Sequence, residues 1–197
     1  MFKSLTSKEV VIHNVWKQNL DEEFIKIRRY IKDYPYIAFD TEFPGVVGTP
    51  IGAYKTKEDF QYSYISSNVN ILKLIQVGFC LVNSRGDLPP GGDIWQFNFK
   101  FSVDDDMYNT DGIRVEDFGA LLTTSGLVAN DKVTWITFHS CFDFGYLIKT
   151  IVGPILPASE KEFFAFHRIL FPKSYDIKML MKCNNVQAAQ VRGGLQD

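Results

Sequence analysis

Two acidic side chains, separated by one residue, follow an apolar segment of strand length. Asp40 and Glu42 come directly after Tyr36–Phe39, whose aromatic and β-branched content predicts a buried strand. Residues i and i+2 of a strand point to the same face, so the two carboxylates can converge on one small volume. Like charges at that position are unfavourable unless a cation neutralises them. Carboxylate oxygens favour magnesium or manganese over zinc, so the pattern indicates such a site rather than a solvated pair of acids.

A third acid, Asp143, follows a second predicted strand, Val133 to Phe138. It falls in the first turn of a predicted helix, where exposed backbone N–H groups favour a negative charge. Taken alone, Asp143 is most simply a residue that stabilises the start of this helix. The triplet Asp143-Phe144-Gly145 also matches the magnesium-binding triplet of protein kinases. However, the chain has no glycine-rich phosphate loop and no H-R-D sequence, which excludes a kinase.

The remaining apolar patterns show which elements must position these acids. Strands and helices interleave along the chain, which predicts an α/β fold with a mixed sheet flanked by helices, in one domain over 1–197. The acidic run Asp104–Asp106 is predicted to lie in a solvated loop. The predicted strands are 10–16, 36–43, 72–82, 94–99 and 133–138, and the predicted helices are 19–33, 58–70, 115–125, 142–152, 160–170 and 176–183.

Composition excludes several classes of protein. The 21 basic and 23 acidic residues give a net charge of −2, so no global positive field is present to hold nucleic acid. The three cysteines are far apart and include no C-x-x-C pair, which is typical of a reducing compartment. The sequence has no apolar signal-peptide core and no apolar run long enough for a membrane span. These features predict a soluble intracellular protein without a membrane partner.

Six segments, taken together and in order, resemble one family over nearly the whole chain. The chain is similar to the CCR-associated factor (Caf/Pop) deadenylases, the poly(A)-shortening subunits of the CCR-NOT complex. The resemblance implies a ribonuclease-H-like fold of the DEDD exonuclease superfamily, in which two divalent cations, Mg²⁺ or Mn²⁺, support RNA cleavage from the 3′ end with release of 5′-AMP. The segments are Asp40–Gly45, Lys73–Gly78, Ile94–Phe99, Ile136–Ser140, Asp143–Leu147 and Tyr175–Lys178.

The resemblance also implies roles for individual residues and partners. Asp40 and Glu42 match the first motif of the superfamily and Asp143 matches the second, so all three are expected to be catalytic metal ligands. Phe43 and His139 are weaker candidates for contact with the substrate. The implied partners are the poly(A) tail of mRNA, the large Not scaffold subunit and a second nuclease subunit, with the cytoplasm as the compartment and the nucleus as a further one.

Other roles remain open for His139 and Asp176. His139, which precedes Asp143, is more simply a core histidine bonded to backbone than a catalytic group. Asp176 is most simply a helix N-cap, and the match to the family leaves a role in supporting the site open.

The chain departs from the family in its third motif, a histidine followed five residues later by an aspartate. Gln18, Phe144 and Pro172 stand five residues after the three histidines, so no such pair occurs. A non-catalytic adaptor of the same complex is therefore the alternative interpretation, and a related nuclease that acts on DNA or structured RNA is a less favoured one.

Without the third motif, we expect weak or no cleavage of oligo(A) by this 197-residue chain, because three acids hold one cation better than two. Release of 5′-AMP from oligo(A) measures this. Robust turnover by the purified chain would contradict it.

Overall fold

The computed structural model describes residues 10–101 and 106–183. Within these residues the chain forms one mixed sheet of six strands, in the order β1-β4-β3-β2-β5-β6, together with seven helices. The strands are β1 Val11–Val15, β2 Tyr36–Glu42, β3 Gln76–Val82, β4 Asp93–Asn98, β5 Thr134–Thr137 and β6 Ser174–Asp176. The helices are α1 Leu20–Tyr30, α2 Lys57–Ile71, α3 Asp106–Thr110, α4 Val115–Thr124, α5 Asp143–Val152, α6 Glu160–Leu170 and α7 Ile177–Cys183.

Strand β2 lies inside the sheet and carries the two acids at its end. It pairs antiparallel with β3 over its full length, from Tyr36 opposite Val82 to Glu42 opposite Gln76. Its parallel pairing with β5 is shorter and ends at Ala38. The last residues of β2 therefore have a strand neighbour on one side only.

The core lies on one face of the sheet, beneath α1, α4 and α5. Ile37 and Phe39 of β2 are buried there, in alternation with less buried neighbours, as expected for a strand with one covered face. The centre of this core is aromatic. The rings of Phe79, Phe97 and Phe118 lie within 6.1 Å of one another, centroid to centroid.

Most of the predicted elements are present, and three differ. The prediction that β3 begins at residue 72 was wrong: Leu72 caps the end of α2, and the strand begins at Gln76. The sequence pattern also missed β6 and α3, which are only 3 and 5 residues long, too short to show a period. Of the acidic run, residues 104–105 lie outside the described residues, and Asp106 begins α3.

No helix in the described parts of the chain is both long and apolar enough to cross a lipid bilayer.

The aromatic core generates a stability prediction. Phe118 is fully buried and its ring contacts those of Phe24, Phe97 and Phe99 at 5.0–5.6 Å. Phe118→Ala should lower the free energy of unfolding by about 3–5 kcal/mol, because it leaves a cavity that the surrounding rings cannot close. Urea denaturation measures this. Ile51→Ala, at a fully exposed apolar position, is the control and should change stability by about 0.5 kcal/mol or less.

Candidate active site

The two acids of β2 share one face of the strand, as the i and i+2 spacing predicts. Asp40 and Glu42 are exposed, whereas Thr41 between them is buried on the opposite, core-facing side. On its own face, Asp40 contributes to the wall of a mainly apolar cleft of about 320 Å³ that also includes Gln96 and Phe138. The strand thus directs two carboxylates outward and one hydroxyl inward.

Asp143 is held against the end of the same strand. Its Oδ1 accepts hydrogen bonds from the backbone N–H of Thr41 at 3.0 Å and from the Thr41 hydroxyl at 2.5 Å. The pairing of β2 with β5 has ended at Ala38, so β5 does not satisfy the Thr41 N–H on that side. Asp143 supplies the acceptor that a longer β5 would otherwise provide. The third acid therefore contacts the residue that lies between the first two.

The electrostatics of this cluster favour a cation. Burial raises the pKa of Asp143 to about 6, and the negative charge of Asp40 adds to this rise, while the hydrogen bonds from Thr41 oppose it. Asp143 is only 7% exposed. A buried carboxylate beside a second acid is stabilised by a positive charge brought near it, because such a charge offsets both the repulsion and the lost hydration.

A fourth acid, Asp176, fixes the turn that leads to Asp143. Its two carboxylate oxygens accept from the backbone N–H groups of His139 at 3.1 Å and Ser140 at 3.0 Å, and from that of Met179 at 3.2 Å. Burial alone would raise the pKa of Asp176, but the N–H donors outweigh it, so the pKa is lowered. Asp176 is therefore the cap of α7, as predicted, and it also holds the turn before α5.

His139 lies in this turn with an unusual backbone conformation. Its φ is +62°, in the left-handed region that residues other than glycine rarely adopt. The expectation of a buried core histidine was wrong, because the residue is exposed. The Asp176 carboxylate accepts a hydrogen bond from the backbone N–H of His139, which helps to stabilise this strained conformation.

Phe43, the other candidate for substrate contact, is half-buried in an aromatic cluster. Its ring lies 4.9 Å from that of Tyr146 and 5.4 Å from that of Phe142, centroid to centroid. This packing gives Phe43 a structural role at the start of the loop that follows β2.

The loop after Phe43 is anchored by a buried amide. The Oδ1 atom of Asn68 accepts from the N–H groups of Val47 and Gly48 at 3.0 and 2.8 Å, and its Nδ2 donates to the carbonyl of Gly48 at 2.7 Å. Asn68 is fully buried on α2. The segment that leaves the acidic site is therefore tied to the body of the protein.

The donor chemistry of the site fits a hard divalent cation, since three carboxylates surround Thr41 at the end of β2. The described residues contain no group of three aspartate, glutamate, histidine or cysteine side chains that is already arranged to hold a metal ion. Joint ligation by Asp40, Glu42 and Asp143 would thus require these side chains to move towards one another.

Comparison with known proteins identifies the family. A family model described as "CAF1 family ribonuclease" matches residues 15–112 and 116–196. The chain belongs to the CAF1 ribonuclease family. This confirms the resemblance stated from the sequence. A relative from Caenorhabditis elegans named CCR4-NOT transcription complex subunit 7 is 50% identical over 96% of this chain and 67% of its own length.

Two other relatives are also similar. A probable CCR4-associated factor 1 homologue of Arabidopsis thaliana is 41% identical over 92% of this chain and 75% of its own length. The poly(A) ribonuclease pop2 of Schizosaccharomyces pombe is 41% identical over 94% of this chain. The chain spans only 62% of the length of that relative.

Solved structures support the fold. The S. pombe Pop2p structure in its Mg²⁺- and Mn²⁺-bound form superposes with a TM-score of 0.87 at 40% identity, over 94% of this chain and 79% of that one. Yeast CAF1 co-crystallised with the NOT1 MIF4G domain gives 0.80 at 31% identity, over 91% and 74% of the two chains. Exonuclease I of E. coli, at 10% identity and a TM-score of 0.50 over 79% and 30%, shares the fold alone. The predicted ribonuclease-H-like α/β fold is confirmed.

Thr41 and Asn68 were not found by the sequence reasoning. Both are uncharged and neither type marks a catalytic motif by itself. A weak signal existed for Thr41, since a small hydroxyl residue stands where the inward face of a buried strand would ordinarily carry an apolar side chain. The role of Asn68 could not be predicted, because only the fold shows which loop its side-chain amide bonds to.

The raised pKa of Asp143 predicts a pH-dependent effect on stability in the metal-free protein. Its ionisation disfavours the folded state, so stability is lost as the pH rises through about 6. Asp143→Asn keeps an acceptor for Thr41 and removes this loss. In EDTA the variant should be more stable than the original protein by about 1–3 kcal/mol near pH 8, with the difference fading as the pH falls towards 4. Urea denaturation at several pH values checks this, and a variant that is less stable near pH 8 would contradict it.

Proposed function

We propose that this protein is a magnesium- or manganese-dependent 3′-to-5′ poly(A) exoribonuclease that acts as a subunit of a CCR4-NOT complex. One observation carries the proposal: in a member of the CAF1 ribonuclease family, Asp143 is hydrogen-bonded to the residue between Asp40 and Glu42. Acids that are distant in sequence thus surround a single strand end. This arrangement suits the cleavage of a phosphodiester, in which negative charge develops on oxygen.

Each of the three acids would contribute in its own way. Asp40 and Glu42 would hold divalent cations from the outward face of β2, where both side chains are exposed. Asp143 would add a carboxylate from the start of α5, in a position set by Thr41. Divalent cations held by these acids would supply an activated water and charge stabilisation for the departing 3′ oxygen.

The turn at residues 138–142 would position this third acid. Asp176 fixes the backbone of His139 and Ser140, and the Thr137 hydroxyl donates to that of Ser140 at 2.8 Å. A turn held in this way would limit the movement of α5 relative to β2. This would matter because a small displacement of a catalytic carboxylate can lower the reaction rate substantially. Asp176 is thus proposed as a positioning residue. His139 and Phe43 remain candidates for contact with the substrate.

Substrate and partner are inferred from the relatives. The S. pombe relative is named a poly(A) ribonuclease, and the C. elegans relative is named a CCR4-NOT subunit. The structure of yeast CAF1 with the NOT1 MIF4G domain supports a Not scaffold as the partner of this protein. The S. pombe structure with Mg²⁺ and Mn²⁺ supports the choice of cations.

Activity on oligo(A) tests the proposal. A form of this protein that carries the third motif should shorten oligo(A) in Mg²⁺ or Mn²⁺ and release 5′-AMP, with slower action on oligo(U) and oligo(dA), and EDTA should stop it. Asp40→Ala should lower the rate by about a hundredfold or more, because it removes a ligand on which the charge stabilisation depends. Asp131→Ala changes an exposed acid in the turn before β5, whose first residue pairs with the start of β2 rather than with the end that carries Asp40. It is the matched control and should retain the original rate.

Two outcomes would overturn this assignment. Undiminished cleavage by a folded Asp40→Ala protein would place the active site elsewhere. A form that carries the third motif and binds the Not scaffold but cuts no oligonucleotide in either metal would be an adaptor rather than a nuclease.

A further inference from the structure

A cleft of about 800 Å³ lies apart from the outward face of β2 that carries Asp40 and Glu42. Its walls come from four parts of the chain: the end of α2 with residues 70–74, Lys100 after β4, the start of α4, and the second half of α5 with residues 153–154. Neither Asp40 nor Glu42 lines it. The roles proposed for the three acids leave this cleft without a function.

The lining of this cleft is strongly basic. Lys73, Lys100, Arg114 and Lys149 line it, and Glu116 is the acid that opposes them. Lys73 and Lys100 are exposed, so their ammonium groups can reach a ligand from solvent. In a chain with a net charge of −2, four cations around one cavity form a local positive field that attracts anions.

Two of these cations are already partly engaged. Lys149 donates to the backbone carbonyls of Val69 and Asn70 at 2.7 and 3.2 Å, and burial lowers its pKa. Arg114 lies 3.6 Å from Glu116 in an exposed ion pair. Lys73 and Lys100 form no ion pair with any residue that the structure describes. Of the four cations, they are therefore the ones most available to pair with an anionic ligand.

A buried hydroxyl in the wall of the cleft supports the presence of a ligand. Tyr146 is 2% exposed, and its Oη has no hydrogen-bond partner among the described residues. Leaving such a group unpaired destabilises a folded protein. A hydroxyl in a basic cavity can donate to an oxygen of an anionic ligand, which would recover this cost.

The cleft adjoins the candidate active site through two connections. Tyr146 lies one helical turn after Asp143 on α5, and its ring packs against Phe43 beside the acids. The backbone N–H of Ile75, which follows the segment that carries Lys73, donates to the carbonyl of Glu42 at 2.8 Å. The phosphate backbone of a nucleic acid that extends from the three acids along this side of the protein would therefore reach the cleft.

We propose that this basic cleft binds the backbone phosphates of the single-stranded RNA that lies upstream of the 3′ end being cut. The inference rests on the proposed nuclease function and names where that function would hold its substrate. Phosphate contacts position an RNA without reading its sequence. Lys73 and Lys100 would provide the charge and the Tyr146 hydroxyl a directed hydrogen bond.

Binding of a long oligo(A), measured by fluorescence anisotropy over a range of salt concentrations, tests this. All proteins carry Asp40→Ala, which prevents cleavage. The double variant Lys73→Gln/Lys100→Gln should bind about tenfold more weakly at low salt, and the slope of its salt dependence should fall by about 0.7 for each phosphate that it no longer neutralises. The matched control Lys132→Gln/Lys161→Gln has the same charge change at exposed positions outside the cleft and should bind like the parent.

Tyr146→Phe separates a direct role in RNA binding from a structural one. If the hydroxyl donates to RNA, this variant should bind long oligo(A) several-fold more weakly while its thermal stability is unchanged or raised, because an unpaired buried polar group has been removed. Binding equal to that of the parent would remove Tyr146 from the proposed RNA site.

Cleavage assays with Asp40 restored, in a form of the protein that carries the third motif, distinguish this proposal from the proposed function. The Lys73/Lys100 double variant should hydrolyse the dinucleotide ApA at the parental rate and long oligo(A) more slowly, since ApA is too short to reach the cleft. If the parent cleaves neither substrate, the proposed function fails while the binding comparison still stands. If the double variant binds long oligo(A) as the control does, the cleft is not an RNA site.

Discussion

The hydrogen bonds between Asp143 and Thr41 are the interaction on which the candidate site depends. They join the end of β2 to the start of α5 across 102 residues of sequence. The bond to the backbone N–H exists because the parallel partner β5 stops pairing at Ala38. A longer β5 would satisfy Thr41 itself, and Asp143 would then have no donor at that point. The early end of one strand is thus what allows a third carboxylate to bond to the residue between the other two.

The same interaction explains why this part of the molecule is electrostatically unfavourable without a ligand. Burial and the charge of Asp40 raise the pKa of Asp143 to about 6, and Thr41 offsets only part of that rise. Burial of an ionised acid next to another acid lowers stability, which comes instead from the aromatic core around Phe79, Phe97 and Phe118. A packed core beside a repulsive cluster is a common feature of catalytic sites, where function requires groups that stability alone would exclude.

The sequence predicted those features that depend on local pattern. The outward pair Asp40 and Glu42 followed from the period of a strand, and the position of Asp143 at the start of a helix followed from the apolar pattern around it. Features that depend on tertiary pairing were missed. Strand β6 consists of three residues that join the sheet by pairing with β5, so no local pattern could indicate it. The exposure of His139 was also mispredicted, because it follows from a left-handed turn that Asp176 holds from 37 residues away.

The distribution of charge shows how a weakly acidic protein could handle a polyanion. A net charge of −2 gives no long-range attraction to RNA, and three acids without bound cations repel phosphate. Attraction must then come from elsewhere on the surface, and the cleft that contains Lys73 and Lys100 supplies four cations against one acid. Both exposed lysines lie close in sequence to residues that bond near the end of β2. The backbone N–H of Ile75, two residues after Lys73, donates to the carbonyl of Glu42. The N–H of Phe99, which precedes Lys100, donates to the carbonyl of Ile75. The sheet therefore fixes the spacing between the repulsive and the attractive regions, so a single strand of RNA held by its upstream phosphates would present its end to the acids in a defined position.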